Sequence, residues 1–156
     1  MTAPLLVFGW GNRSRGDDAL GPLCVERLRA LSAGGAAVEF LDDYQLMIEH
    51  ALDLTDRRQV LFIDASLSAR TPFEAGPVIA ARDASLSSHA MSPQALLHVY
   101  RELHDEAPPP CMLLAIRGEH FELGAPPTAS AMAHLEAAVH WARAWLAAAL
   151  PQPVPG

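Results

Sequence analysis

Little in this sequence could cross-link the chain. Two cysteines, Cys24 and Cys111, stand among 156 residues. Two thiols do not make a disulfide framework, so the fold has to rest on a packed core. Long apolar runs are missing as well. Leu5 to Phe8 is far too short to span a bilayer, and the apolar-rich stretch from Ala142 to Leu150 is interrupted by Arg143. The opening residues Met1-Thr2-Ala3-Pro4 lack the basic region and apolar stretch of a secretory signal. Positive charge is scarce: 11 Lys and Arg face 18 Asp and Glu, a net of −7, and Arg57-Arg58 is the one adjacent basic pair. That balance argues against nucleic acids or anionic membranes held by bulk electrostatics. These absences lead to the expectation of a soluble, cytoplasmic protein.

Apolar residues make up 51% of the chain, enough for one domain of this length to bury a core. We expect a single domain over residues 1–150, with the Pro-rich residues 151–156 as a flexible tail. Leu5-Leu6-Val7-Phe8 reads as a buried strand, ended by the turn Gly9-Trp10-Gly11-Asn12. Leu20, Leu23, Cys24, Leu28 and Leu31 then fall at helical spacing up to Gly34-Gly35. Further strands are expected at Val38–Leu41, Val60–Ile63 running into Asp64, Val78–Ala81 and Met112–Ile116. A short helix is expected around Met47 to Leu54. Ser92-Pro93 should open a helix with Leu96, Val99, Tyr100 and Leu103 on its inner face. Thr128 or Ser130 should cap a long last helix, with Met132, Leu135, Val139, Ala142 and Leu146 inward. Strands alternating with helices, several of them continuous apolar runs, predict an α/β fold. The expected form is a three-layer αβα sandwich: a twisted, mostly parallel five-stranded sheet with helices on both faces.

In open α/β sheets, ligands bind beyond the carboxyl ends of the strands. Asn12, Asp17 and Asp18 follow the first strand, Asp64 ends the third, and His89 lies in the loop after the fourth. Three segments could thus deliver two carboxylates and an imidazole, a donor set suited to zinc, nickel or iron, to one edge. That delivery depends on the direction of the fourth strand. Each residue alone has an ordinary reading too: Asp17-Asp18 as a helix cap, Asp64 as a strand-end turn residue, His89 as a packing residue. A dinucleotide-binding turn is the competing reading of Gly9-Trp10-Gly11, with Asp42 or Asp43 as the ribose acid. The third glycine of that fingerprint is replaced by Ser14, and Asp17 and Asp18 would face the diphosphate. No Gly-x-Ser-x-Gly elbow is present, and both cysteines read as packing residues. Among the other histidines only His50, beside Glu49, invites a functional reading.

The run from Gly9 to Pro22, Gly-Trp-Gly-Asn-Arg-Ser-Arg-Gly-Asp-Asp-Ala-Leu-Gly-Pro, resembles the N-terminal signature of [NiFe]-hydrogenase maturation proteases. Phe62-Ile63-Asp64-Ala65 and Ser88-His89-Ala90-Met91-Ser92-Pro93 resemble the family's other two blocks, in the same order, and the likeness runs to about residue 146. The resemblance implies a mixed sheet between helices. It implies that Asp18, Asp64 and His89 are the catalytic and nickel-binding residues, Asp18 standing where many relatives carry Glu. It implies an endopeptidase that removes the C-terminal extension of a hydrogenase large-subunit precursor after nickel insertion, with the substrate's own nickel as recognition signal. Gln45 to Leu54, with Arg13-Ser14-Arg15, is similar to the subgroup serving cytoplasmic NAD-linked hydrogenases. The alternative is a non-catalytic, metal-sensing chaperone that binds the same precursor.

Overall fold

Six consecutive buried residues, Leu5–Trp10, form β1, an interior strand of the sheet. Covered on both faces, such a strand has no solvent side, which is why its sequence shows no polar alternation. The computed structural model describes residues 2–31, 33–82 and 91–150. In chain order the elements are β1, helix α1 (Leu20–Ala30), β2 (Val38–Asp43), β3 (Gln59–Ser66), β4 (Phe73–Pro77), helix α2 (Pro93–His104), β5 (Cys111–Arg117) and helix α3 (Ala129–Ala149). Short 3-10 turns at Gly16–Ala19, Gly35–Ala37 and Ile48–Leu54 join them. The strands lie in the order β2-β1-β3-β5-β4. The first four are parallel neighbours and β4 runs antiparallel to β5 at the edge.

Alternate residues of the central strands feed two cores. Leu5, Val7, Leu61, Ile63, Leu114 and Ile116 meet Leu20, Cys24 and Leu28 of α1 and Leu135, Val139 and Leu146 of α3. On the other face Leu6, Phe8, Val60 and Phe62 meet Leu46, Leu54, Leu96, Leu97 and Tyr100. Each fully buried Leu or Phe contributes roughly 1.5–3 kcal/mol. The mostly parallel sheet with helical layers on both faces is therefore the α/β arrangement expected. Ser92 caps α2, its hydroxyl accepting from Ala95 N–H at 3.1 Å, and Thr128 rather than Ser130 caps α3. Among the described residues no helix is long and apolar enough to cross a membrane.

Three expectations need correction. The fourth strand lies at Phe73–Pro77, not Val78–Ala81. Pro77 has no N–H to give, Val78 adds one last bond to Cys111 O at 2.9 Å, and Ile79 already points to solvent. Strand three does not stop at Asp64 but continues to Ser66, pairing Asp64 with Ala115. Leu103 and Met132 are exposed rather than inward, and Leu31, at helical spacing with the buried residues of α1, is exposed as well. Leu31 lies just past the end of α1, and Leu103 is in the last turn of α2, which Asp105 ends in a left-handed conformation. The expected tail, 151–156, lies outside the described residues.

Asp17 fastens the segment after β5 to the segment after β1. Its fully buried carboxylate accepts from the N–H groups of Glu119 (2.8 Å) and His120 (3.1 Å) through Oδ2, and of Thr128 (2.7 Å) through Oδ1. The Thr128 hydroxyl donates to the same carboxylate while accepting from Ala131 N–H at the start of α3. Burial alone would raise the Asp17 pKa, but these donors outweigh it and hold the carboxyl below its ordinary 3.8. An Asp17→Asn substitution would turn an amide donor toward backbone donors. It should cost about 3 kcal/mol or more, read by urea denaturation at pH 7. Because folding lowers this pKa, the contribution is complete above the ordinary value of 3.8 and is lost as pH falls through the lower folded-state value. Wild type should therefore lose more stability than the variant on strong acidification. Equal stability of the two at neutral pH would remove the clamp.

Candidate functional site

The chain leaves β1 through α1 on one face and leaves β3 by way of β4 and α2 on the other. The carboxyl ends of β1 and β3 therefore flank a crevice, the place where open α/β sheets take ligands. Gly9 pairs with Ile63, which sets Asp64 level with Trp10 at the end of β1. Asp18 reaches the crevice from the 3-10 turn Gly16–Ala19. Two glycines permit this approach. A Cβ on Gly11, whose φ is +150°, would lie 1.9 Å from the Asp18 carbonyl oxygen. A Cβ on Gly21 would lie 2.5 Å from Trp10 O and 2.8 Å from Ile63 O, so only glycine lets α1 begin on the strand ends.

The turn orients Asp18 through its own backbone. Asn12 N–H donates to Asp18 Oδ2 at 2.7 Å, and Asn12 Oδ1 accepts from Ser14 N–H at 2.8 Å. Asp64 sits in a drier place. Its Oδ1 accepts from Ala65 N–H at 2.8 Å, and the Trp10 indole lies beside the same carboxyl. Burial nonetheless pushes the Asp64 pKa up to about 7, the charge of Asp18 adds to the rise, and the Ala65 N–H and the Trp10 indole oppose it. The structure thus brings Asp18 and Asp64 together, close enough for one charge to oppose the other. Beside Asp18 opens a cavity of about 310 Å³, lined by Asn12, Arg15, Tyr44, Gln45 and Phe121 as well.

His89, the third expected ligand, lies outside the described residues. Among the described residues no group of three His, Cys, Asp or Glu side chains is arranged to hold a metal ion. What they supply is a pair of carboxylates, hard oxygen donors that suit divalent cations. Asp17 is absent from that pair because all its acceptor capacity is used inside the fold. The competing dinucleotide reading finds its acids engaged. Asp42 pairs with Arg13 at 2.9 Å, and Asp43 receives His50 Nε2 at 3.0 Å. His50 Nδ1 accepts from Met47 N–H at 2.8 Å, which leaves the proton on Nε2 and gives this histidine a structural task. Burial pushes the thiols of Cys24 and Cys111 up to about 12, so neither is a thiolate nucleophile. Sequence reasoning did not foresee Trp10 as a partner of Asp64, nor Tyr44, Gln45 and Phe121 as cavity walls. No local pattern announces them, because the contacts span distant segments.

Asp64 gives the metal-free protein a pH signature. A carboxyl held near 7 instead of 3.8 resists ionisation by about 4 kcal/mol. Folding raises this pKa, so the contribution is present below the ordinary value and is lost as pH rises through about 7. Asp64→Asn should be more stable than wild type at pH 8, by up to about 4 kcal/mol, and the two should converge toward pH 4. Urea denaturation with a chelator present measures it; parallel stability curves over that range would contradict the burial argument.

No protein-family model matches the chain, and no curated protein matches its sequence. Solved structures do resemble it. An endopeptidase from Escherichia coli, determined in solution, superposes with a TM-score of 0.73 at 25% identity, over 97% of this chain and 96% of that one. The hydrogenase maturating endopeptidase HybD from E. coli gives 0.72 at 24% identity, over 92% of each chain. The [NiFe] hydrogenase maturation protease HycI from Thermococcus kodakarensis KOD1 gives 0.68 at 20% identity, over 93% of each. Over nearly its whole described length, the chain has the fold of the hydrogenase maturation proteases.

Proposed function

We propose that the chain is an endopeptidase that removes the C-terminal extension from the precursor of a [NiFe]-hydrogenase large subunit after nickel insertion. The observation that carries this reading is the pair Asp18 and Asp64, close enough at the crevice of this fold for the charge of Asp18 to act on Asp64. Two carboxylates brought to one crevice are a donor set that a divalent cation completes. In this reading the nickel is part of the substrate, and Asp18, Asp64 and His89 read it. His89 enters through its sequence block alone. Nickel so held supplies a positive centre that anchors the end of the precursor. Asn12 N–H holds one oxygen of Asp18, so the other is available to the ligand. Ala65 N–H fixes the direction of Asp64. Hydrolysis then adds water across the scissile amide, breaking its C–N bond to leave a new carboxylate on the subunit and an amine on the released peptide. The stretch Gln45 to Leu54 supports a cytoplasmic NAD-linked hydrogenase as the partner, with the reaction in the cytoplasm.

The test mixes purified protein with nickel-loaded and nickel-free precursor and weighs the large subunit by mass spectrometry. Only the loaded precursor should shorten. Asp64→Asn and His89→Ala should slow shortening by roughly 100-fold or more, the scale of losing a group at a reacting centre. Their circular dichroism should stay that of the wild type. A loaded precursor that binds stably without changing mass would exclude proteolysis and leave the role of a metal-sensing chaperone. Full activity in both variants would remove these residues from the site.

A further inference from the structure

We propose that Arg15 is a specificity-determining residue that takes a carboxylate of the precursor's C-terminal extension; the proposal rests on the proteolytic reading above. The sequence has no lysine, so all 11 of its cations are arginines. Other arginines of the first turn and of α1 are engaged within the fold. Arg13, two residues earlier, spends its guanidinium on Glu26 and Asp42, each at 2.9 Å. Arg29 donates to Phe40 O at 2.9 Å, and Arg27 pairs with Glu136. Arg15 makes no ion pair or side-chain hydrogen bond among the described residues, although 18 carboxylates are available in the chain. It is exposed, and it is the one cation among the described residues lining the cavity that holds Asp18.

Its backbone, by contrast, is pinned. Arg15 N–H donates to Asn12 O at 3.1 Å, Arg15 O accepts from Asp18 N–H at 3.0 Å, and Arg15 forms an isolated antiparallel bridge with Leu123. On either side, Ser14 O accepts from Gly124 N–H at 2.6 Å and Gly16 N–H donates to Ala125 O at 2.9 Å. The base of the side chain is therefore fixed in relation to Asp18, and only the side chain itself has to be ordered by a ligand. A free guanidinium on a rigid base is a receptor for carboxylate, which it meets with two parallel N–H donors.

The charge around it sharpens the inference. Asp18, the acid on the same cavity wall, repels an anionic peptide. Arg15 marks the point on the cavity wall where an anion is welcome. A cation-accepting end at Asp18 and an anion-accepting end at Arg15 give the bound extension a direction. That direction decides which amide lies beside the acids. The carboxylate has two possible sources, an acidic side chain within the extension or its terminal α-carboxylate.

The experiment uses the full chain and the nickel-loaded precursor, with shortening followed by mass spectrometry. Arg15→Gln should raise KM by about tenfold or more, the scale of a charge-assisted pair, with a much smaller change in kcat. Arg15→Lys should fall between it and wild type, since charge remains and the fork is lost. Arg15→Gln should melt with the wild type, because the side chain makes no ion pair or hydrogen bond among the described residues. Two altered precursors identify the source: one with the extension's Asp and Glu changed to Asn and Gln, one with Gly-Ser added to move the terminus. The altered precursor that raises the wild-type KM, and on which Arg15→Gln adds no further loss, names the partner. An unchanged KM in Arg15→Gln, a loss confined to kcat, or an equal loss on all precursors would overturn the proposal. If wild type binds the precursor without cutting it, the same comparison is made on Kd. A weaker Arg15→Gln complex then supports Arg15 while the proteolytic reading falls; no binding by wild type removes both.

Discussion

The carboxylate of Asp17 is the interaction on which the geometry of the candidate site depends. It has no access to water, and it gathers backbone N–H groups from Glu119, His120 and Thr128 together with a hydroxyl. Those donors belong to the chain that leaves β5 and to the cap of α3. The acid itself sits in the turn that leaves β1. Two loops far apart in sequence are thereby made into one rigid rim, and that rim carries Asn12, Arg15, Asp18 and Phe121. Without the carboxylate, several buried donors would be left unpaired at once, which is why the rim stands or falls as a unit.

Adjacent acids with opposite fates follow from the turn's geometry. The 3-10 turn sends Asp17 inward to those donors and leaves Asp18 half-buried at the crevice, held by a single N–H of Asn12. One carboxylate is saturated and the next is left with capacity to spare. The same division separates Arg13 from Arg15 two residues apart. In each pair one charge is spent on structure and the other faces the cavity. A dipeptide such as Asp-Asp therefore need not be read as a doubled version of one function.

The parts legible in sequence were those whose cause is local. Leu5 to Phe8 and Val60 to Ile63 read as strands because burial on both faces demands unbroken apolar runs. Ser92 and Thr128 read as caps because a hydroxyl before a helical run has one obvious donor to satisfy. The edge strand β4 was not legible: Phe-Glu-Ala-Gly-Pro, paired on one side and largely exposed, resembles a loop, whereas the apolar Val78 to Ala81 beside it resembles a strand. Asp18 and Asp64 could be singled out by chemistry and position. The effect of the Asp18 charge on Asp64, the nearby Trp10 indole and the cavity walls depend on segments brought together through space, and no spacing encodes them. His89 was singled out in the same way and lies outside the described residues.

Asp17 and Asp64 also oppose one another in energy. Near neutral pH the Asp17 contribution is complete, since its pKa lies below the ordinary range, while Asp64, held near 7, is beginning to ionise against its surroundings. A buried acid that resists ionisation weakens the fold, so its retention calls for compensation elsewhere and a use at the site. The rim closed by Asp17 supplies the first. The second follows from linkage: whatever neutralises Asp64, a proton or a bound cation, stabilises the folded chain by the same free energy that favours its own binding. A ligand that brings positive charge to the crevice therefore relieves a strain already present, and the neighbouring Asp18 makes that relief larger. The physical core of the site is thus a stored electrostatic cost, confined to one edge by loops that a second carboxylate, fully satisfied, holds in place.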